Sequence, residues 1–245
     1  MGMLSLERGS YRARLARSEE DMAAVQRLRA LCFRAGVARD GDAFDAQCDH
    51  VVVEERRTGE ILCCFRLMPL SRGAEIGRSY SAQYYGLAAL EAYDSPMVEL
   101  GRFCTARGAR DPDILRIAWG AMTAYVDARG VEMLFGCSSF DGTEAEAYHD
   151  AFAMLRERHL APGRWRPRVK APQVVRFAER LGLRPDVRRA MRAMPPLLKT
   201  YLAMGGWVSD HAVVDRDLGT LHVFTGLEIS AIPAARKRLL RAVAG

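Results

Sequence analysis

The nine residues Met97-Val98-Glu99-Leu100-Gly101-Arg102-Phe103-Cys104-Thr105 constrain this chain more than any other stretch. They are mostly apolar and compatible with a strand, yet they carry a Glu and an Arg three positions apart with a Gly between. In a regular strand side chains alternate faces, so Glu99 and Arg102 would point opposite ways. An isolated Gly inside a strand pattern suggests a bulge near Gly101, and one extra residue there would bring both charges onto one face. A bulge also leaves a backbone N–H without a ladder partner, the kind of donor a carbonyl needs as it gains negative charge during acyl transfer. The plainer reading is a core strand whose two charges sit at its rims, one to each side. Both readings stand on this stretch alone.

The flanking chain supplies partners for those charges. Tyr11–Arg17 reads as a strand, and Ser18-x-x-Asp21 as a capping box opening a helix with Met22, Val25, Leu28 and Cys32 on its inner stripe. The loop from Gly36 to Asp49 is rich in acids: Asp40, Asp42, Asp45 and Asp49. Val51–Arg57 and Ile61–Met68, joined through Thr58-Gly59, read as a hairpin. Arg66 shares a face of its second strand with Leu62, Cys64 and Met68, where an unpaired guanidinium would be costly to bury. A tyrosine-rich stretch (Tyr80, Tyr84, Tyr85, Tyr93) precedes the central strand. Asp111-Pro112 predicts an N-cap with Pro at the first helical position, and Gly130 the stop of that helix. Val131–Cys137 is the next strand, Thr143-x-x-Glu146 the cap of a following helix, and Pro195-Pro196 the start of a short one. Two strands near Trp207–Val214 and Thr220–Ile229 and a basic amphipathic tail from Arg236 to Arg241 close the chain. The fold class predicted is α/β, a mixed central sheet with helices on both faces.

Composition narrows the function. Hydrophobic residues make up 49% and charged residues 27%, enough to bury a core. No apolar run reaches the ~18 residues that cross a bilayer, and Met1–Ser10 lacks the apolar segment of a secretory signal. The six cysteines show no C-x-x-C and no paired spacing with histidine, which speaks against a disulfide framework or a metal site and points to a reducing cytosol. Cys104 and Cys137 are expected as packed core thiols. The net charge of +6 is uneven: between Arg156 and Arg192 stand twelve Lys/Arg against three Asp/Glu. Such a segment suits an acidic protein or an anionic membrane surface. No nucleic-acid-binding motif is present.

Glu99, Arg102, Arg66 and the loop acids together offer charges of both signs. A zwitterionic amino acid would find an Arg for its carboxylate and an Asp for an ammonium. An attacking amine must lose a proton, and a partly buried Glu can take it. A Ser or Cys nucleophile at Cys137, Ser138 or Ser139 is the enzymatic rival, although no His stands in a motif that would activate it.

The element order, with Val98-Glu99-Leu100-Gly101-Arg102, Trp119-Gly120, Leu134-Phe135-Gly136-Cys137-Ser138-Ser139-Phe140-Asp141-Gly142-Thr143 and Pro195-Pro196-Leu197-Leu198-Lys199-Thr200-Tyr201-Leu202, resembles the ornithine-lipid N-acyltransferases. These share the fold of the GCN5-related N-acetyltransferase (GNAT) superfamily and are related to acyl-homoserine-lactone synthases. The resemblance covers about residues 11–230. It implies transfer of a 3-hydroxyacyl chain from acyl carrier protein to the α-amine of ornithine, giving lyso-ornithine lipid, with no cofactor beyond the phosphopantetheine of the carrier. Residue by residue it implies Glu99 and Arg102 as catalytic, and Arg66, Asp42, Asp45, Arg29 and Phe33 as substrate-binding.

The chain departs from the wider pattern at two places. Arg107-Gly108-Ala109-Arg110-Asp111-Pro112 stands where the superfamily has a Gly-rich pyrophosphate loop, which suits a carrier protein with its single phosphate. The lactone synthases have a Trp soon after the helix-one Phe, and here none precedes Trp119, which counts against a methionine-derived substrate. A single acyltransferase domain over residues 1–245 is expected, with a catalytic core of about 11–160 and a basic elaboration of about 161–245. Arg164, Trp165, Arg166 and Arg168 are the expected carrier-protein or membrane contacts, with Trp165 as an anchor at headgroup level. The expected location is the cytoplasm, peripheral to the inner face of the membrane. A lactone-synthase-like enzyme and a non-catalytic anionic-lipid-binding module are the alternatives.

Overall fold

A computed structural model describes residues 4–34, 36–179 and 184–244. In chain order the strands and main helices begin β1 (Ser5–Arg8), β2 (Tyr11–Leu15), α1 (Glu19–Phe33), β3 (Asp49–Glu55) and β4 (Ile61–Leu70). They continue β5 (Tyr85–Gly86), β6 (Met97–Thr105), α2 (Pro112–Arg129), β7 (Met133–Asp141), α3 (His149–Arg158), β8 (Arg168–Val169) and β9 (Val174–Val175). The last are α4 (Val187–Ala193), α5 (Pro196–Ala203), β10 (Trp207–Val208), β11 (Ala212–Asp215), β12 (Thr220–Glu228) and α6 (Ala234–Ala244). These group into two compact units, one of residues 1–69, 100–131 and 234–245, the other of residues 70–99 and 132–233. Each unit draws on separated stretches of the chain, because its strands pair with partners far away in sequence.

In the first unit the strand order is β1-β2-β3-β4-β6, with Leu100–Thr105 as the β6 contribution. The predicted hairpin is present: β3 pairs antiparallel with β4, from Asp49 opposite Leu67 to Glu54 opposite Ile61. Helix α1 starts as its sequence predicts, Ser18 Oγ accepting from the Asp21 N–H at 3.1 Å. Its buried Val25 and Leu28 pack with Val52, Cys64 and Cys104. Helix α2 begins at Pro112 behind the Asp111 cap and ends at Gly130, whose φ of 59° is the left-handed turn a Cβ would oppose. Helix α6 lies on α2, where Gly120 leaves the room: a Cβ there would stand 2.9 Å from Val243. Arg241 Nε and Nη2 clasp Asp127 at 3.0 and 3.1 Å.

In the second unit the order is β6-β7-β12-β11-β9, with Met97–Glu99 as the β6 contribution. Strand β7 runs on to Asp141, four residues beyond the predicted end, because it pairs with β12 along its whole length, from Met133 opposite Glu228 to Asp141 opposite Thr220. One face is covered by α3, α4 and α5, which bury Phe152, Leu155, Met194 and Leu198 against Phe140, Leu221 and Val223. The Thr143 cap is not formed. A 3-10 turn over Ala145–Tyr148 precedes α3, and neither has a side-chain cap.

Candidate active site

The first unit holds the predicted arginines and loop acids together. Arg29 on α1 is 1% exposed; its Nε donates to Asp40 Oδ2 at 3.0 Å and its Nη1 to Asp45 Oδ1 at 2.8 Å. Arg66 Nη1 donates to Asp42 Oδ1 at 2.5 Å and to Asp45 Oδ1 at 2.7 Å. Arg102 Nη2 reaches Asp42 Oδ2 at 3.3 Å, and its Nε lies 3.1 Å from Asp40 Oδ2. Arg34 Nε completes the set on Asp40 Oδ1 at 3.1 Å. The pairing expected for Arg66 is therefore met, and Arg29 pairs with Asp45 and with Asp40, an acid the site prediction had passed over. Two rings support the guanidinium planes. Phe44 lies 5.6 Å from the Arg66 carbon and Phe33 5.9 Å from that of Arg102.

Burial pushes the Asp42 and Asp45 carboxyls up, but Arg66 on the first and Arg29 with Arg66 on the second outweigh it, so both end below the usual carboxylate value. These are fixed anions, suited to holding charge and not to taking a proton. His50 is 6% exposed and kept toward its neutral form by burial; its Nε2 meets the Asp45 carbonyl oxygen at 3.0 Å. Asp45 also lines an open cleft of about 620 Å³ with Arg17, Glu19, Gln26, Arg39 and His50.

Strand β6 carries the irregularity its sequence suggested, one residue later than expected. Arg102, not Gly101, has the positive φ, 53°, making it the one such non-glycine among the described residues. Left-handed backbone costs an ordinary side chain of the order of 1 kcal/mol, here offset by the anchored guanidinium. A Cβ on Gly101 would stand 3.3 Å from Arg66 Nε, so this glycine gives Arg66 its room.

Glu99 has a different setting in the second unit. It is 4% exposed and accepts from the Tyr80 N–H at 2.8 Å, the Ser81 N–H at 2.8 Å and the Ser81 hydroxyl at 2.5 Å. The two amides are free to do this because Ser81–Gln83 is a 3-10 turn, whose leading N–H groups have no partner within the turn. Glu99 caps it from a distant strand. The turn is itself pinned: Ala82 N–H donates to Ser79 Oγ at 3.2 Å, and Lys170 Nζ to the Ala82 carbonyl at 2.6 Å. Ser81 Oγ also lies 3.4 Å from Cys137 Sγ. Cys104 is buried as expected, whereas Cys137 is half-buried and tied to this hydroxyl, so it is not the sealed core thiol predicted. Ser81 and Tyr80 were not predicted, because neither amides nor a lone Ser give a spacing signal.

Within the basic segment Arg164 is exposed and pairs with Glu228 at 3.2 Å, and its guanidinium carbon lies 5.3 Å from the Trp165 ring. Trp165 is half-buried, donates from Nε1 to Glu228 Oε1 at 3.2 Å and packs against Tyr93. It is thus held by the protein instead of projecting as an anchor. Arg166 Nη2 donates to the Ala161 carbonyl at 3.3 Å, and Arg168 is exposed on β8. Among the described residues no group of three or more His, Cys, Asp or Glu is arranged to hold a metal, and no helix is long and apolar enough to cross a membrane.

Residues 26–120, which span the arginine–aspartate cluster and Glu99, match the acetyltransferase (GNAT) domain, so the chain is an acyltransferase of the GNAT class. It is 35% identical over 239 residues to the L-ornithine N(alpha)-acyltransferase of Rhodobacter capsulatus, covering 91% of this chain and 92% of that protein. To the enzyme of that name from Agrobacterium fabrum it is 29% identical over 243 residues, covering 91% and 83%. The chain belongs to the L-ornithine N(alpha)-acyltransferase family. Among solved structures it is similar to an N-acyl amino acid synthase from uncultured soil microbes, with a TM-score of 0.49 and 10% identity over 96% of each chain.

Proposed function

We propose that this acyltransferase moves a 3-hydroxyacyl group from acyl carrier protein to the α-amine of ornithine, giving lyso-ornithine lipid. The observation that carries the reading is the similarity over nine-tenths of the chain to proteins named L-ornithine N(alpha)-acyltransferase. The chemistry of the residues supports it. Guanidinium groups at Arg29, Arg66 and Arg102 are the natural partners of an α-carboxylate, and Arg forms such contacts two bonds at a time. Asp42, with a side chain 25% exposed, is the most accessible of the carboxylates paired with Arg66, and with Asp45 it keeps a side-chain ammonium charged and unreactive. Phe33 offers apolar surface to the acyl chain.

Glu99 receives the proton that the attacking amine gives up. The α-amine, with an ordinary pKa of ~7.7–8.0, loses it more readily than a side-chain amine near ~10.4, so acylation falls on the α-nitrogen. No resident cofactor enters this scheme; the thioester on the carrier's phosphopantetheine arm is the donor. Residues 107–112, which offer one glycine where a pyrophosphate cradle needs several, support the carrier over coenzyme A. Arg164, Trp165, Arg166 and Arg168 are proposed as contacts for the acidic carrier or the cytoplasmic membrane face. The purified protein, supplied with 3-hydroxyacyl carrier protein and ornithine, other amino acids or S-adenosylmethionine, tests the reading by mass spectrometry of the products. An α-N-acyl ornithine supports it. A lactone from the methionine compound alone overturns it.

A further inference from the structure

Cys137, Ser81 and Glu99 form a hydrogen-bonded chain that simple acceptance of a proton by Glu99 does not use. Ser81 has one hydroxyl proton, and at 2.5 Å that proton is donated to Glu99 Oε1. The 3.4 Å contact between Ser81 Oγ and Cys137 Sγ is then one in which the thiol donates to the serine oxygen. The serine is 0% exposed, so no bulk water competes for either bond. The far end, Cys137, is half-buried and lies on β7 opposite Phe224. A buried carboxylate is thereby connected to a partly accessible thiol through a single hydroxyl.

Aminolysis of a thioester has two proton requirements. The attacking nitrogen must lose a proton as the C–N bond forms, and the departing sulfur must gain one as the C–S bond breaks. We propose that Cys137, Ser81 and Glu99 are a proton relay serving both, a reading that rests on the acyl transfer proposed above. Glu99 takes the amine proton and becomes the donor to Ser81 Oγ. The serine hydroxyl turns to Cys137 Sγ, and the Cys137 S–H proton passes to the leaving thiolate. One N–H and one C–S bond are broken, one C–N and one S–H bond are formed, and all three residues regain their starting protonation. A cysteine suits the last step because its acidity is close to that of the alkyl thiol it protonates. Ser81 is a positioning residue that holds Glu99 and hands the proton on.

Two variants test the relay on the full chain. Ser81→Ala removes a donor to the ionised carboxylate, so the acid limb of the pH profile of kcat/KM should move up by about one pH unit. Ser81→Thr should restore it. Cys137→Ala should lower kcat by about 10²-fold with an acyl carrier protein donor. With an acyl 4-nitrothiophenyl thioester, whose leaving thiolate needs no proton, that loss should shrink to a few-fold. A merely structural cysteine would be missed equally with both donors, and such a result overturns the relay. An acyl adduct on Cys137 in the intact mass spectrum also overturns it, in favour of covalent catalysis. If the unsubstituted protein acylates no amine, the underlying reading fails; if it does so and both variants match it, only the relay fails.

Discussion

The molecule stabilises its buried carboxylates in two ways. Asp40, Asp42 and Asp45 in the first unit are matched by guanidinium groups, charge against charge. Glu99 in the second unit is held by two amides and a hydroxyl, all neutral donors. Guanidinium partners lock an acid in its ionised form, and the lowered Asp42 and Asp45 carboxyls show that lock overcoming burial. Neutral donors also favour the ionised form, but one of those on Glu99 is a hydroxyl that can turn its bond round when the carboxylate takes a proton. One arrangement therefore suits recognition of a charged substrate, and the other suits movement of a proton.

The sharpest way to break this comparison is Glu99→Gln. The shape is kept and the accepting oxygen lost, so turnover should fall on the order of 10²–10⁴-fold. The new NH₂ must also face Tyr80 N–H or Ser81, donor against donor, at a cost of about 1–3 kcal/mol in stability. Steady-state kinetics and urea unfolding on the same sample separate the two. Folded protein with near-normal turnover would reduce Glu99 to a cap for the 3-10 turn.

Arg66→Ala attacks the other arrangement. Its side chain is 4% exposed, and its loss leaves Asp42 and Asp45 short of a countercharge, so about 3–5 kcal/mol of stability should go. Arg66→Ala with Asp42→Asn should regain part of it, because one of the stranded charges is removed as well. Additive losses in that double-mutant cycle would mean that the ion pairs do not hold this region together.

Falling pH should act on buried histidines and on paired carboxylates in different windows. His222 in the second unit is 2% exposed, and burial holds it down to about 4 from an ordinary 6.5, with Asp215 opposing. Below 6.5 the unfolded chain binds a proton that the folded one refuses, so stability falls between 6.5 and 4, by up to about 3 kcal/mol. Asp42 and Asp45 are two of the depressed carboxyls of the first unit, with Asp21 and Glu54. Their contribution is complete above the unfolded value of 3.8 and is lost as pH falls through the folded values below it. His222→Gln should reduce the slope of unfolding free energy against pH between 4 and 6.5, with the part due to buried His50 and half-buried His159 remaining, and leave the more acidic loss in place. An unchanged slope would assign that window to other groups.

What the sequence made legible follows the same division. Arg66 in an apolar strand demanded acids, and the acid-rich loop before β3 was the nearest source. Helix α1 with its Ser18 cap and helix α2 between Pro112 and Gly130 were legible because caps act within one turn. The Glu99 cradle was not, since it consists of backbone amides set by a 3-10 turn 18 residues upstream, and amides are present at every position. Asp40 was one acid among several until the fold aimed it at three arginines. Helix α4 was hidden by the basic, proline-interrupted composition around it. The Thr143-x-x-Glu146 pattern failed because the chain there enters a 3-10 turn that starts one residue later, with Glu144 and not Thr143 at its N-cap.

The smallest effect concerns the exposed charges. Arg164→Ala with Arg168→Ala removes two cations from the basic segment. The Arg164–Glu228 pair has side chains 65% and 19% exposed, so its loss should change stability by less than about 1 kcal/mol. Trp165 keeps its own bond to Glu228 and should stay in place. If the segment meets an acidic carrier, KM for the carrier-bound donor should rise several-fold at low salt, with kcat unchanged. The difference should fade near 1 M salt, where the screening length is about 3 Å. A KM that rises equally at all salt concentrations would point to a packing defect, and an unchanged KM would remove these two arginines from the donor interface. The ion pairs around Arg66, being buried, should show no such salt dependence, and that contrast separates charges that hold the fold from charges that meet a partner.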